Sequence, residues 1–167
     1  MDEHRVGLKP ILRKVWAPRG QRPIAQVQHR FEWLYLWAFV NPQSGQCIWY
    51  ILPTVSTLAY SRVLQNFARS VGASSDKRIL LLQDQAGWHT SSKLEVPLSI
   101  DLIDLPPYSP ELQPAEKLWR LTDEPLANTL FDDLDALQAS LEQRCEFLLT
   151  QPDLISQETL FHWWPLT

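Results

Sequence analysis

The chain has 167 residues, 45% of them hydrophobic, enough for one domain with its own core and too apolar for a disordered segment. It has no run of about 18 apolar residues and no apolar leader, so a membrane span and export are not expected. The net charge of -4 argues against a self-sufficient DNA-binding module, which is usually basic.

That charge is unevenly spread. The first thirty residues hold Arg5, Lys9, Arg13, Lys14, Arg19, Arg22 and Arg30 against only Asp2 and Glu3, and the acids accumulate after residue 100. A basic N-terminal edge could face DNA, or be an ordinary solvated face. Residues 6–28, broken by Pro10, Pro18, Gly20 and Pro23, read as an irregular hairpin or extended arm. Residues 31–40 are aromatic and β-branched, and predict a buried strand. Residues 41–45 make a turn, and residues 46–52 return as the second strand of a hairpin. Apolar residues at Leu58, Val63, Leu64, Phe67 and Val71 predict an amphipathic helix over 57–71, capped by Ser56 or Thr57 and ended by Gly72. Residues 77–83 predict a strand buried on both faces. A short helix over 91–96 and a strand over 99–105 follow. After a Pro-rich link, helices are predicted over 114–121, with Pro114 in the first turn, and over 132–149. The aromatic tail, 159–165, is expected to dock on the domain. Cys47 and Cys145 lack metal-ligand spacing and read as reduced core residues, in keeping with a cytoplasmic setting. The order of elements predicts an α/β fold: a mixed sheet with helices on its faces, in one domain over 1–167.

The carboxylates point to a chemistry. Asp84 ends an apolar strand, at the carboxyl edge where open α/β sheets place ligands. Glu116 follows 32 positions later, in the first turn of a predicted helix. Each has a plain structural alternative, as a turn or capping acid. Together, spaced by a rigid Pro-Pro-Tyr-Ser-Pro guide, they suit two-metal phosphoryl transfer. That reaction needs carboxylates from several elements to hold Mg²⁺ or Mn²⁺. Asp2 is the third candidate, with Glu3 as its alternative, although residue 2 of a chain normally frays. His89 could touch a phosphate or simply bond a loop. Trp16, Arg19, Tyr108 and Ser109 are further candidates for DNA contact, the last two more in keeping with a structural turn. Trp88 and Trp119 read as packing residues. A Gly-rich phosphate loop, a nucleophile elbow and a Cys/His zinc pattern are all absent.

Four motifs carry a resemblance: Asp2-Glu-x-Arg5-x-Gly-Leu8, Trp16-Ala-Pro-x-Gly20, Leu82-x-Asp84-x-Ala-x-Trp-His89 and Leu105-Pro-Pro-Tyr-Ser-Pro-Glu-Leu-x-Pro-x-Glu116-x-x-Trp119. The chain resembles the catalytic domain of bacterial insertion-sequence transposases related to the mariner group. The resemblance implies a ribonuclease H-like fold and an Asp-Asp-Glu triad of Asp2, Asp84 and Glu116. It implies a Mg²⁺ or Mn²⁺ pair, cleavage of DNA at transposon ends, strand transfer into target DNA, and action as a dimer or larger complex. In a bacterium such a protein is cytoplasmic, and at the nucleoid when bound to DNA. Two departures are expected: no N-terminal helix-turn-helix segments, and a first central strand missing ahead of Asp2, leaving Asp2 unsupported. The chain then reads as a truncated catalytic domain, one with a misassigned start, or the second half of a split reading frame. An inactive remnant and a stand-alone ribonuclease H-like nuclease are the alternatives.

Overall fold

The most apolar segment of the chain becomes its most deeply buried strand. The computed structural model describes residues 1–164. In it β1 (Asp2–Gly7), β2 (Trp33–Val40) and β3 (Cys47–Leu52) form an antiparallel sheet in that order. Side chains alternate across β2. Leu36 and Ala38 face one core, with Val6, Leu118, Leu137, Leu141 and Leu148. Trp37 and Phe39 face a second, with Tyr60, Leu64 and Phe67. A strand buried on both faces must be apolar at every position, which is why its sequence shows no polar alternation.

The second core lies beneath α1 (Thr57–Ser70), whose apolar stripe is Tyr60, Val63, Leu64 and Phe67. Ser56 caps α1 by accepting a hydrogen bond from the Ala59 amide, and Gly72 follows its end at φ +63. β4 (Ile79–Gln83) and β5 (Ile100–Asp104) pair in parallel, with Gln83 opposite Asp104. The first core is closed by α2 (Leu118–Thr122), α3 (Leu134–Leu149) and α4 (Pro152–Thr159). In place of the single mixed sheet expected there are two, antiparallel β1–β2–β3 and parallel β4–β5, with α1 packed on one face of β2 and α2 to α4 on the other.

The hairpin, α1, the parallel pair and α3 fall where the sequence placed them. Four further expectations change. Asp2, expected to be unsupported, opens a strand that pairs it with Ala38, through Gly7 with Trp33. Residues 91–96 form turns rather than a helix. The predicted helix over 114–121 divides into a 3₁₀ turn, Pro114–Lys117, and the short α2. α4 was not anticipated, because Gln151-Pro152 reads as a stop signal and here Pro152 opens a helix. The tail packs through Phe161 and Trp163, stacked at 5.3 Å, with Lys117 Nζ 5.8 Å from the Phe161 ring. Residue 165 of that predicted docking segment lies outside the described residues.

Between β1 and β2 runs the arm. Its base is tied down: Gln28 Nε2 donates to the carbonyls of Leu8 (2.8 Å) and Phe131 (2.9 Å), and the Arg13 amide donates to Asn128 Oδ1 (3.0 Å). Its middle is exposed, including Trp16 and Ile24.

The β2–β3 turn packs against the start of α4 at Gly45, which sits at φ +68. A Cβ there would lie 1.8 Å from the Pro152 carbonyl oxygen. Gly72 shares the left-handed conformation but faces open space. Gly45→Ala is therefore expected to cost about 2–3 kcal/mol, and Gly72→Ala only about 1 kcal/mol. Thermal unfolding checks this, with a fall of roughly 5–10 °C for the first and clearly less for the second.

Candidate active site

β1 is a strand almost without apolar residues, and its alternation distributes polar side chains to two places. Asp2 and His4 face the α2 side. Glu3 faces the β4 side. Met1 holds the strand's start in place: its amine donates to the Leu82 carbonyl of β4 at 2.7 Å, and its carbonyl accepts from Gln113 Nε2 at 2.7 Å. Asp2 is thus buried and supported, not frayed. Its Oδ1 accepts from the Glu3 amide (2.9 Å), and its Oδ2 from the Trp119 indole N–H (3.1 Å). Trp119 is stacked on His4 at 5.0 Å, and His4 Nε2 meets Asp123 Oδ1 at 2.8 Å. The packing residue Trp119 is therefore also a donor to the first acid.

Asp84 stands just past β4, half-exposed. The hydrogen bonds it accepts on its carboxylate all fall on Oδ1, from the Ala86 amide (3.1 Å) and His89 Nδ1 (2.6 Å). His89 Nε2 lies 2.8 Å from Glu3 Oε1, and neither side chain is open to solvent (0% and 4% exposed). The Tyr60 ring covers the imidazole at 4.5 Å. Tyr60 also donates its hydroxyl to Gln83, whose amide donates to Asp104 Oδ1 at 2.8 Å. A buried imidazole between two carboxylates serves as donor at both nitrogens. His89 consequently has no open face for a phosphate, and its place is to link Glu3 to Asp84. Glu3 is not an alternative to Asp2 but the far end of this chain.

Glu116 projects from the 3₁₀ turn, exposed, and accepts no hydrogen bond among the described residues. The three acids feel one another. Burial, then the charges of Glu116 and Glu3, lift the Asp2 carboxyl to about 7. Partial burial pushes Glu116 up against the pull of His4, and the Asp84 charge adds to the rise. The His89 hydrogen bond holds Asp84 below the usual carboxylate range. Among the described residues no three His, Cys, Asp or Glu side chains are grouped so that they could hold a metal ion. Asp2, Asp84 and Glu116 carry the oxygen donors that a hard divalent cation prefers, and two of the three are destabilised as anions.

Trp16 and Arg19 stand exposed on the arm. Tyr108 and Ser109 lie on the Pro-rich link. Ser109 Oγ donates to the Pro107 carbonyl (3.3 Å), and Tyr108 is fully exposed at φ +56.

Residues 1–138, which hold all three acids, match the family described as DDE superfamily endonuclease. The chain belongs to this family. It is 36% identical over 132 residues to the "Uncharacterized protein y4pE/y4sA" of Sinorhizobium fredii, covering 78% of this chain and 96% of that one. Its fold is that of the mariner transposase Mos1. The Mos1 paired-end complex with Mn aligns with a TM-score of 0.67 at 20% identity, over 94% of this chain and 52% of that one. The Mos1 strand transfer complex aligns with a TM-score of 0.63 at 18% identity, over 98% and 55%. This DDE endonuclease chain spans about half the length of those Mos1 chains.

Burial lowers the His89 pKa, but the hydrogen bonds to Asp84 and Glu3 outweigh it and raise it to about 9 from 6.5. The folded protein then holds a proton that the unfolded chain has already released. Stability from this group is full below pH 6.5 and is lost as pH rises through about 9. Denaturant unfolding at pH 7 and pH 9 should show that loss, and Glu3→Gln should shrink it. An equal slope in wild type and variant would mean that Glu3 does not hold the proton on His89.

Proposed function

We propose that this chain is the catalytic domain of a transposase, cleaving DNA strands and joining the freed ends to target DNA in a divalent-metal-dependent reaction. The observation that supports the reading is electrostatic: Asp2 of β1 feels the charge of Glu116 on the 3₁₀ turn, and Glu116 feels that of Asp84 past β4. Two of these carboxyls are raised, first by burial and then by like charge, and a bound cation would relieve both.

Asp2, Asp84 and Glu116 would hold Mg²⁺ or Mn²⁺. The metal pair, when bound, supplies Lewis acidity at the phosphodiester and acidifies the attacking water. The chain's own residues prepare the place. Trp119 and the Glu3 amide fix both oxygens of Asp2. His89 fixes Oδ1 of Asp84 and leaves Oδ2 to the site. Pro110 and Pro114 set the rigid turn that presents Glu116. The basic arm, with Trp16 and Arg19 outermost, and the Tyr108–Ser109 loop are the surfaces that meet DNA. The partners are transposon ends and target DNA, with the protein acting as a dimer or larger complex in the bacterial cytoplasm. No helix among the described residues is long and apolar enough to cross a membrane.

Cleavage of labelled duplex DNA with Mn²⁺ or Mg²⁺ tests the reading. Asp84→Asn and Glu116→Gln should each lower the rate by more than about 100-fold, and a chelator should abolish it. Glu116→Gln should leave the unfolding midpoint unchanged or slightly higher, since it removes a like charge beside Asp2. Undiminished cleavage by Asp84→Asn would sink the triad. Because Asp2 titrates near 7, Mn²⁺ binding should release a proton below that pH. Its apparent affinity should rise with pH to about 7 and then level, as titration calorimetry would show.

A further inference from the structure

Tyr108 occupies a backbone conformation that its side chain disfavours and that the fold does not repay. It follows Pro107 in a turn at φ +56, where a turn with proline at its first corner normally takes glycine. Its side chain is fully exposed (102%), so it buries nothing. The loop around it is rigid. Pro106, Pro107 and Pro110 restrict the backbone, and Gln85 Nε2 donates to the Leu105 carbonyl at 2.9 Å. The Leu112 and Gln113 amides close the following turn on Ser109 and Pro110, each at 3.0 Å. A glycine would relieve the turn at no loss of packing. Sparsely populated backbone with an exposed side chain points to a binding role rather than a folding one.

The place of the ring narrows the role. The loop leaves the carboxyl end of β5, whose last residue pairs with Gln83, the neighbour of Asp84. It ends at the turn that presents Glu116. Tyr108 therefore stands on the edge where the scissile phosphate would lie. A phenol ring carries no charge for a phosphate, but both of its faces are free, and a free aromatic face binds nucleobases by stacking. In intact duplex the base faces are covered by their neighbours. We propose that Tyr108 stacks on an unpaired base beside the scissile phosphate, so that the site selects DNA that is opened or frayed at the point of cleavage. This rests on the DNA-cleaving reading above.

The test uses the full chain and two oligonucleotide duplexes. One carries a 2-aminopurine unpaired opposite a gap, and the other carries it paired. Anisotropy of a distant dye reports binding, and 2-aminopurine fluorescence reports stacking. Wild type and Tyr108→Phe should quench the unpaired probe. Tyr108→Gly should lose the quench and bind the gapped DNA roughly tenfold more weakly, with an unfolding midpoint equal to or above wild type. Equal quenching by Tyr108→Gly, or equal loss of affinity for gapped and paired DNA, overturns this inference and leaves the DNA-cleaving reading intact. An absence of any DNA binding by wild type overturns both.

Discussion

A charged imidazole buried between two carboxylates joins the first sheet to the second, and the rest of the site depends on it. Glu3 comes from β1, Asp84 from the end of β4, and His89 from the loop that follows. A buried ion chain of this kind is stable only when complete, because removing one member strands a charge in a medium that solvates it poorly. Its geometry has a consequence for its neighbour in sequence. A strand that turns Glu3 toward His89 must turn Asp2 to the opposite face, where the Trp119 indole and the α2 region receive it. One register thus supports Asp2 directly and Asp84 through Glu3 and His89.

The third acid is delivered by other means. Among the described residues Glu116 has no hydrogen-bond partner that orients it, and its position follows from the backbone, through proline-bounded 3₁₀ turns anchored by the buried Ala115 and Leu118. The site therefore combines two carboxylates held by hydrogen bonds with one held by chain stiffness. The two kinds differ in freedom. Asp84 has one oxygen committed, whereas Glu116 can adjust its side chain without breaking a contact.

Much of this was legible in the residues. The hairpin, α1, the parallel pair and α3 are apolar segments whose periodicity matches their burial. Asp84 and Glu116 stand out as candidates because they follow an apolar strand and a proline guide. β1 was not legible as a strand. Asp2-Glu-His-Arg offers no apolar alternation, because its side chains are occupied by the site rather than by a core, and local patterns fail where function sets the residue. The support for Asp2 was hidden for the same reason. Trp119 looks like packing, and its N–H matters only once the chain has folded back across more than a hundred positions. Glu3 and His89 could be seen as candidates singly, but not as partners. The 3₁₀ character of the Glu116 turn shows in its prolines only in hindsight.

The arm between β1 and β2 has a kinetic consequence. β2 and β3 are joined by a short turn and can pair early, at little cost in loop closure. β1 and Met1 must first close the long arm, and then meet residues 82, 89, 113 and 119, all far away in sequence. Contacts of such separation are the last to be rewarded during folding. The hydrophobic layers around β2 can therefore assemble while the acids are still apart, and the chain acquires its shape before it acquires its chemistry.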